Sequence, residues 1–129
     1  MMRKKVLIIE DDRELLSIYK IRLEQAGFNV FTAQDGQAGL KKALENEPDL
    51  IMVDLMMPEI DGKDFLSIQS ITKKIKDTPV FVVSNISPDV ANLKELGRNI
   101  AGYLVKVEYT PKQIAQKVQQ YLLNQQTHV

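Results

Sequence analysis

The stretch Val6-Leu7-Ile8-Ile9-Glu10-Asp11-Asp12 joins four apolar residues to three consecutive acids, and it is entered from Arg3-Lys4-Lys5. An apolar run this short and this rich in β-branching fits a strand covered on both faces. The acids at its end repel one another. At an effective dielectric near 20, two carboxylates ~5 Å apart cost roughly 3 kcal/mol. Either they point apart into water or something positive sits among them.

Strand-like and helix-like stretches alternate from there. Leu15, Leu16, Tyr19, Leu23 and Ala26 fall at helical spacing over Arg13–Ala26, and Gly27 is a C-terminal stop. Phe28–Ala33 predicts a second strand, and Asp35-Gly36 turns into a helix that reaches Asn46, before Pro48. Asp49–Asp54, "DLIMVD", predicts a third buried strand. Asp61-Gly62 opens a helix carrying Phe65, Leu66, Ile68 and Ile71, and Pro79–Ser84, "PVFVVS", is a fourth strand. Ser87-Pro88 has the form of an N-cap followed by proline at the first helical position, opening a short helix to about Leu96. Gly102–Val105 is a fifth strand, and Thr110-Pro111 repeats the cap before a last helix striped by Ile114, Val118 and Leu122.

Five strands alternating with five helices predict an α/β fold, a parallel sheet with helices on both faces, and right-handed crossovers leave few topologies. In such sheets a site forms beyond the carboxyl ends of the strands, where the winding reverses. If the first and third strands flank that reversal, Glu10, Asp11 and Asp12 meet Asp54, and oxygen ligands of this kind suit a hard cation. Ser84 and Lys106 end the fourth and fifth strands on the same edge. Metal-holding acids, a further Asp, a hydroxyl and a lysine form a coherent set for phosphoryl transfer. Taken singly, each has a blander meaning: an Asp after a strand usually caps a helix, a Lys there is usually solvated, and a Ser forms a turn. Their joint occurrence at four strand ends favours the chemical meaning.

Composition narrows the field. The chain has 129 residues, enough for one compact domain with a sizeable core. Lys plus Arg and Asp plus Glu both number 17, so charge offers no case for direct nucleic-acid binding. The absence of cysteine excludes disulfides and thiolate metal sites. The basic start precedes an apolar run too short for a secretory signal or a membrane span, and a cytoplasmic location is expected. The domain is expected over residues 1–124, followed by a polar tail at 125–129 that frays. Composition leaves open whether the chain stands alone or belongs to a longer protein.

The stretches "VLIIEDD", "PDLIMVDLMMPEIDG", "PVFVVS" and "GYLVK" together resemble the receiver domain of two-component response regulators, over essentially the full chain. The resemblance implies a doubly wound, flavodoxin-like sheet of order 2-1-3-4-5 with five helices on two faces. It implies that Asp54 accepts a phosphoryl group from a sensor histidine kinase or phosphotransfer protein. It assigns Mg2+ to Asp11 and Asp54 directly, to Glu10 through water and to the Met56 carbonyl. Ser84 would hydrogen-bond the phosphoryl group, Lys106 would pair with it, and Tyr103 would change rotamer as Ser84 moves. Such a protein is not a conventional enzyme, although it catalyses its own Mg2+-dependent phosphorylation and dephosphorylation. Asp12 falls outside the acid pair and is expected as a cap or surface charge.

Phosphorylation adds about −1.5 to −2 charge to an already acidic crevice, so the metal and Lys106 must adjust. The response is expected as a population shift reaching the surface of the fourth helix, fifth strand and fifth helix. That surface includes Tyr103 and the face of Gln113, Gln116, Lys117 and Gln120. It would meet a downstream effector domain or protein, an acidic partner, or a second copy in a homodimer.

Three positions depart from the family pattern. Asn85 stands where a small residue is favoured, Val107 where proline is usual, and Asn99 where glycine is usual. Without proline, a cis peptide at Lys106–Val107 would cost roughly 2.5–4 kcal/mol, so a trans bond is expected, with a looser hold of Lys106 on the phosphoryl oxygens. These departures also motivate an alternative, a receiver-like interaction module that signals without phosphorylation. A flavin carrier is disfavoured because "EDDREL" would repel a phosphate. An aspartyl-nucleophile phosphatase would need a D-x-D pattern that Glu10-Asp11-Asp12 does not provide.

Overall fold

The computed structural model describes residues 3–57, 60–92 and 99–127. Within these the elements run β1 (Lys5–Ile9), α1 (Arg13–Gln25), β2 (Asn29–Ala33), α2 (Gly36–Asn46), β3 (Leu50–Val53), α3 (Gly62–Ser70), β4 (Val80–Ser84), α4 (Pro88–Ala91), β5 (Ile100–Val105) and α5 (Pro111–Thr127). A single 3₁₀ turn, Lys106–Glu108, joins β5 to α5. The strands pair in parallel in the order β2-β1-β3-β4-β5, as expected.

Both faces of the sheet are covered because its strands are apolar at consecutive positions. Val6, Ile8, Leu50, Met52, Phe81 and Val83 pack with α1 and α5 residues such as Leu23, Ile114 and Val118. Leu7, Ile9, Ile51, Val53, Val80 and Val82 pack with Ala43, Phe65 and Leu66 from α2 and α3. A strand with one wet face would alternate instead.

Side-chain caps set the helix starts. Asp12 accepts the Glu14 and Leu15 N–H groups, Asp35 that of Ala38, and Asp61 that of Asp64. At α5, Thr110 Oγ1 accepts Gln113 N at 3.1 Å while Gln113 Oε1 accepts Thr110 N at 2.8 Å, a reciprocal capping box. Gly27 has φ +99°, the left-handed geometry its role as a stop requires.

Several boundaries shift from expectation, most of them by one residue, and three have a physical cause. The helix opened by Ser87-Pro88 stops at Ala91 rather than near Leu96, because Asn92 turns left-handed at φ 54° and its N–H closes back on Asp89 and Pro88. The rest of that expected helix, residues 93–98, lies outside the described residues. Phe28 precedes β2 rather than opening it, its N–H bonded to the Leu23 carbonyl. β5 begins at Ile100, two residues before Gly102: Val80 pairs with Ile100 and Phe81 with Gly102, so Ala101 is bulged out of the ladder. Between α3 and β4, the buried Gln69 amide donates to the Ile75 and Thr78 carbonyls and shapes a connection with no sequence signal of its own.

The first turn of α3 lies directly against the backbone that leaves β3. A Cβ at Gly62 would stand 2.3 Å from the Asp54 carbonyl oxygen and 2.6 Å from Leu55 Cα. Both neighbours are backbone and cannot swing aside. Gly62→Ala should therefore lower the urea midpoint by a loss of about 1–3 kcal/mol, the usual range for overpacking. A midpoint equal to that of the unaltered chain would show that the approach is looser than described.

Candidate functional site

The register of the sheet delivers the acids to one level. Ile9 pairs with Val53, so Glu10 and Asp54 emerge side by side, and Asp54 N continues the ladder to the Ile9 carbonyl at 3.1 Å. Glu10 and Asp54 are 2% and 6% exposed, which places two carboxylates nearly out of water. Asp11 stays at the exposed rim, and carboxylate oxygens of Glu10, Asp11 and Asp54 lie within 4.8 Å of one another. All of these donors are oxygens, the chemistry that suits a hard divalent cation.

The positive group sought among the acids is Lys106. Its Nζ is 2.5 Å from Glu10 Oε1 and 2.6 Å from Asp54 Oδ2. The other Asp54 oxygen accepts the Met56 N–H at 3.0 Å. The peptide bonds of the described residues are all trans, Lys106–Val107 included, as expected. From the 3₁₀ turn that follows, the long lysine stem lets the ammonium reach both carboxylates.

Burial, above all, raises the Glu10 carboxyl to about 7; the hydrogen bond and charge of Lys106 pull it back, and the Asp54 charge adds to the rise. Burial alone would lower Lys106, but its hydrogen bonds to Asp54 and Glu10 outweigh that, and the net direction is upward. Tyr103 is raised by burial first and by the Asp54 charge second.

Ser84 is fully buried at the end of β4, and its Oγ accepts the Ile86 N–H at 3.3 Å. Tyr103 donates its hydroxyl to the Ile86 carbonyl at 2.6 Å. Asn85 Oδ1 accepts the Val107 N–H at 3.2 Å, so two of the three departures from the family pattern are partners in one bond. The third, Asn99, donates its amide to the Lys76 carbonyl, and its own carbonyl accepts Val80 N. Asp11, Leu55, Met56, Met57, Asp61 and Ile86 line a cleft of about 390 Å³ beside the acids.

Glu10, Asp54 and Lys106 are thus in direct contact and Asp11 is adjacent. Met56 enters through its N–H, while Ser84 and Tyr103 face the loop after β4. Asp12 is a helix cap, as expected. Tyr19 carried no such expectation because its spacing marks it as core. It is buried, its hydroxyl has no partner among the described residues, and burial foremost pushes that phenol up to about 12.

A sheet wound 2-1-3-4-5 with an acid cluster and a lysine at its reversal point defines a doubly wound α/β domain with an acidic pocket at that edge. The chain belongs to the response regulator receiver domain family, whose model matches residues 6–119. It is 37% identical over 108 residues to the transcriptional regulatory protein CpxR of Escherichia coli K12, covering 84% of this chain and 42% of that protein. It is 34% identical over 102 residues to the response regulator ArlR of Staphylococcus saprophyticus, covering 79% of this chain and 45% of that protein. The chain therefore spans less than half the length of these two relatives. The chemotaxis response regulator CheY4 of Vibrio cholerae superposes with a TM-score of 0.82 at 29% identity, over 92% of this chain and 98% of that one. No helix among the described residues is long and apolar enough to cross a membrane.

The raised carboxyl has a consequence for stability. Glu10 moves from 4.5 to about 7 on folding, so the folded chain holds this proton more tightly than the unfolded chain. Its contribution is greatest below 4.5 and declines as pH rises to about 7. In the presence of a chelator, this loss should be on the order of 1–3 kcal/mol across that window, and Glu10→Gln should remove it. Urea unfolding at a series of pH values gives both curves, and parallel curves would contradict the assignment.

Proposed function

We propose that the chain is a phosphoaccepting receiver of a two-component phosphorelay, with Asp54 as the acceptor. The observation that carries this reading is the grip of Lys106 on Asp54 inside the three-acid cluster. An Asp54 carboxylate oxygen attacks the phosphorus of a phosphohistidine on a sensor kinase or phosphotransfer protein. A P–O bond forms as the P–N bond breaks, the histidine nitrogen keeps the electron pair, and the product is an aspartyl acyl phosphate.

Three carboxylates against one ammonium leave a formal charge of −2, which one divalent cation balances. Glu10, Asp11, Asp54 and the Met56 carbonyl would hold Mg2+, which would neutralise phosphoryl oxygens when bound. The chain's own residues do the remainder. Lys106 exchanges its carboxylate contacts for a phosphoryl oxygen, and Ser84 turns its hydroxyl from the Ile86 N–H toward the same group. Tyr103, bonded to the Ile86 carbonyl, registers that movement and passes it to the β5–α5 surface. A downstream effector domain or protein reads that surface through a population shift.

Acetyl phosphate with Mg2+ should add one phosphoryl mass to the chain, and neither Asp54→Asn nor excess chelator should permit it. Labelling that persists in Asp54→Asn would place the acceptor elsewhere.

The acyl phosphate should be long-lived, because Met56 and Ile86 beside the acids are apolar and cannot orient an attacking water. Ile86→Glu should shorten its lifetime several-fold, followed by loss of the phosphoryl mass. An unchanged lifetime would mean that water reaches the phosphorus by another side.

A further inference from the structure

We propose that Asn85 is a positioning residue for Lys106, acting through the Val107 N–H. This inference rests on the phosphoacceptor reading and deepens it. The β4–β5 ladder ends where Ser84 pairs with Val105. One step beyond, Asn85 Oδ1 accepts the Val107 N–H at 3.2 Å, so a side chain extends the strand pairing past its last backbone rung. Asn85 directly follows Ser84, and Val107 directly follows Lys106. The bond therefore joins the two loops that present the hydroxyl and the ammonium.

The segment that carries Lys106 has little else to hold it. Its 3₁₀ turn has no buried residue and no side-chain cap, and the Val107 side chain is 81% exposed. The turn's own closing bond, from Tyr109 N to the Lys106 carbonyl, is long at 3.4 Å. Packing cannot fix the peptide after Lys106, whereas the Asn85 amide can. A lysine head on a flexible stem is aimed only as well as its backbone is anchored. The neighbouring residue is tied in the same direction, since Tyr103 donates to the Ile86 carbonyl at 2.6 Å. Asn85 and Ile86 are thus strapped in succession to β5 and its exit, and Ser84 and Lys106 meet an incoming phosphoryl group as one unit.

Both partners are chemically necessary. Proline at 107 would remove the donor, and alanine at 85 would remove the acceptor. The acids that would hold a cation stand on β1 and β3 and do not depend on this bond.

Beryllofluoride, a phosphoryl mimic, tests the proposal in titrations of the Mg2+-saturated chain, with Mg2+ affinity measured separately. Asn85→Ala should weaken beryllofluoride binding about fivefold, the effect of one lost hydrogen bond. Its Mg2+ affinity should stay unchanged within about twofold, because a lost neutral amide hardly alters the field at those acids. Val107→Ala keeps the N–H and should bind beryllofluoride as the unaltered chain does. Val107→Pro should weaken binding, and adding Asn85→Ala to it should cause no further loss. The proposal is overturned if Asn85→Ala binds beryllofluoride normally, if Val107→Ala weakens binding as much as Asn85→Ala does, or if the Asn85→Ala and Val107→Pro effects add independently. An unaltered chain that binds no beryllofluoride would overturn the phosphoacceptor reading, and this inference with it.

Discussion

Lys106 Nζ stands 2.5 Å from one withdrawn carboxylate and 2.6 Å from another, and much of the molecule is arranged to make that possible. Burying two carboxylates without a counter-charge is prohibitive, and removing one partner of a buried pair typically costs about 3–5 kcal/mol. Here the acids come from β1 and β3, while the ammonium comes from β5 and must reach across the end of β4. Only a sheet with β1 beside β3 and β5 two places away offers that span. The buried Ser84 at the end of β4 keeps a polar group beneath the bridge. Charge balance at this edge therefore selects the strand order that hydrophobic burial merely permits.

On the proposed phosphoacceptor reading, the same arrangement would make the domain responsive. One ammonium shared by two carboxylates is satisfied but replaceable, because a phosphoryl oxygen offers it a stronger acceptor. The exit of β5 is tied to the loop after Ser84 by two hydrogen bonds, from Val107 N to Asn85 and from the Tyr103 hydroxyl to Ile86, so a displacement of Lys106 would be felt there. On that reading the signal would need no long chain of contacts, since the proposed acceptor and the proposed switch residues lie on neighbouring strand ends.

Much of this was legible in the amino-acid order. Short unbroken apolar runs at Val6–Ile9, Leu50–Val53 and Val80–Val83, set between helical patterns, read as doubly covered strands, and the acids after two of them locate the site. Caps at Asp12, Asp35, Asp61, Ser87 and Thr110 act over three residues and are visible in a local pattern. What stayed hidden depends on contacts between distant residues. The bond from Val107 to Asn85 spans 22 positions, and nothing near either residue announces the other. The departures from the family pattern at those two positions lie in different loops, and each reads in sequence as independent of the other. The seat of Lys106 between two carboxylates is not legible in the order of residues around it, because it depends on how far a long side chain reaches across the end of β4. The early end of α4 turns on one left-handed Asn, and no simple periodicity reports that choice.

The extra residue at Ala101 carries a consequence for how the domain can vary. Side chains alternate along a strand, so Ile100 and Tyr103, three positions apart, would ordinarily face opposite sides of the sheet. Both nevertheless pack on the α2–α3 side, while Leu104 packs on the α1–α5 side. The bulge makes this possible by resetting the parity of the strand midway. Removing Ala101 would leave a regular ladder in which Ile100, Gly102 and Tyr103 keep Val80, Phe81 and Val82 as partners, so the Tyr103 side chain would stay on the α2–α3 side. In this segment the length can vary by one residue without changing the facing of either flank, because the bulge absorbs an odd residue that would elsewhere turn every following side chain to the opposite side.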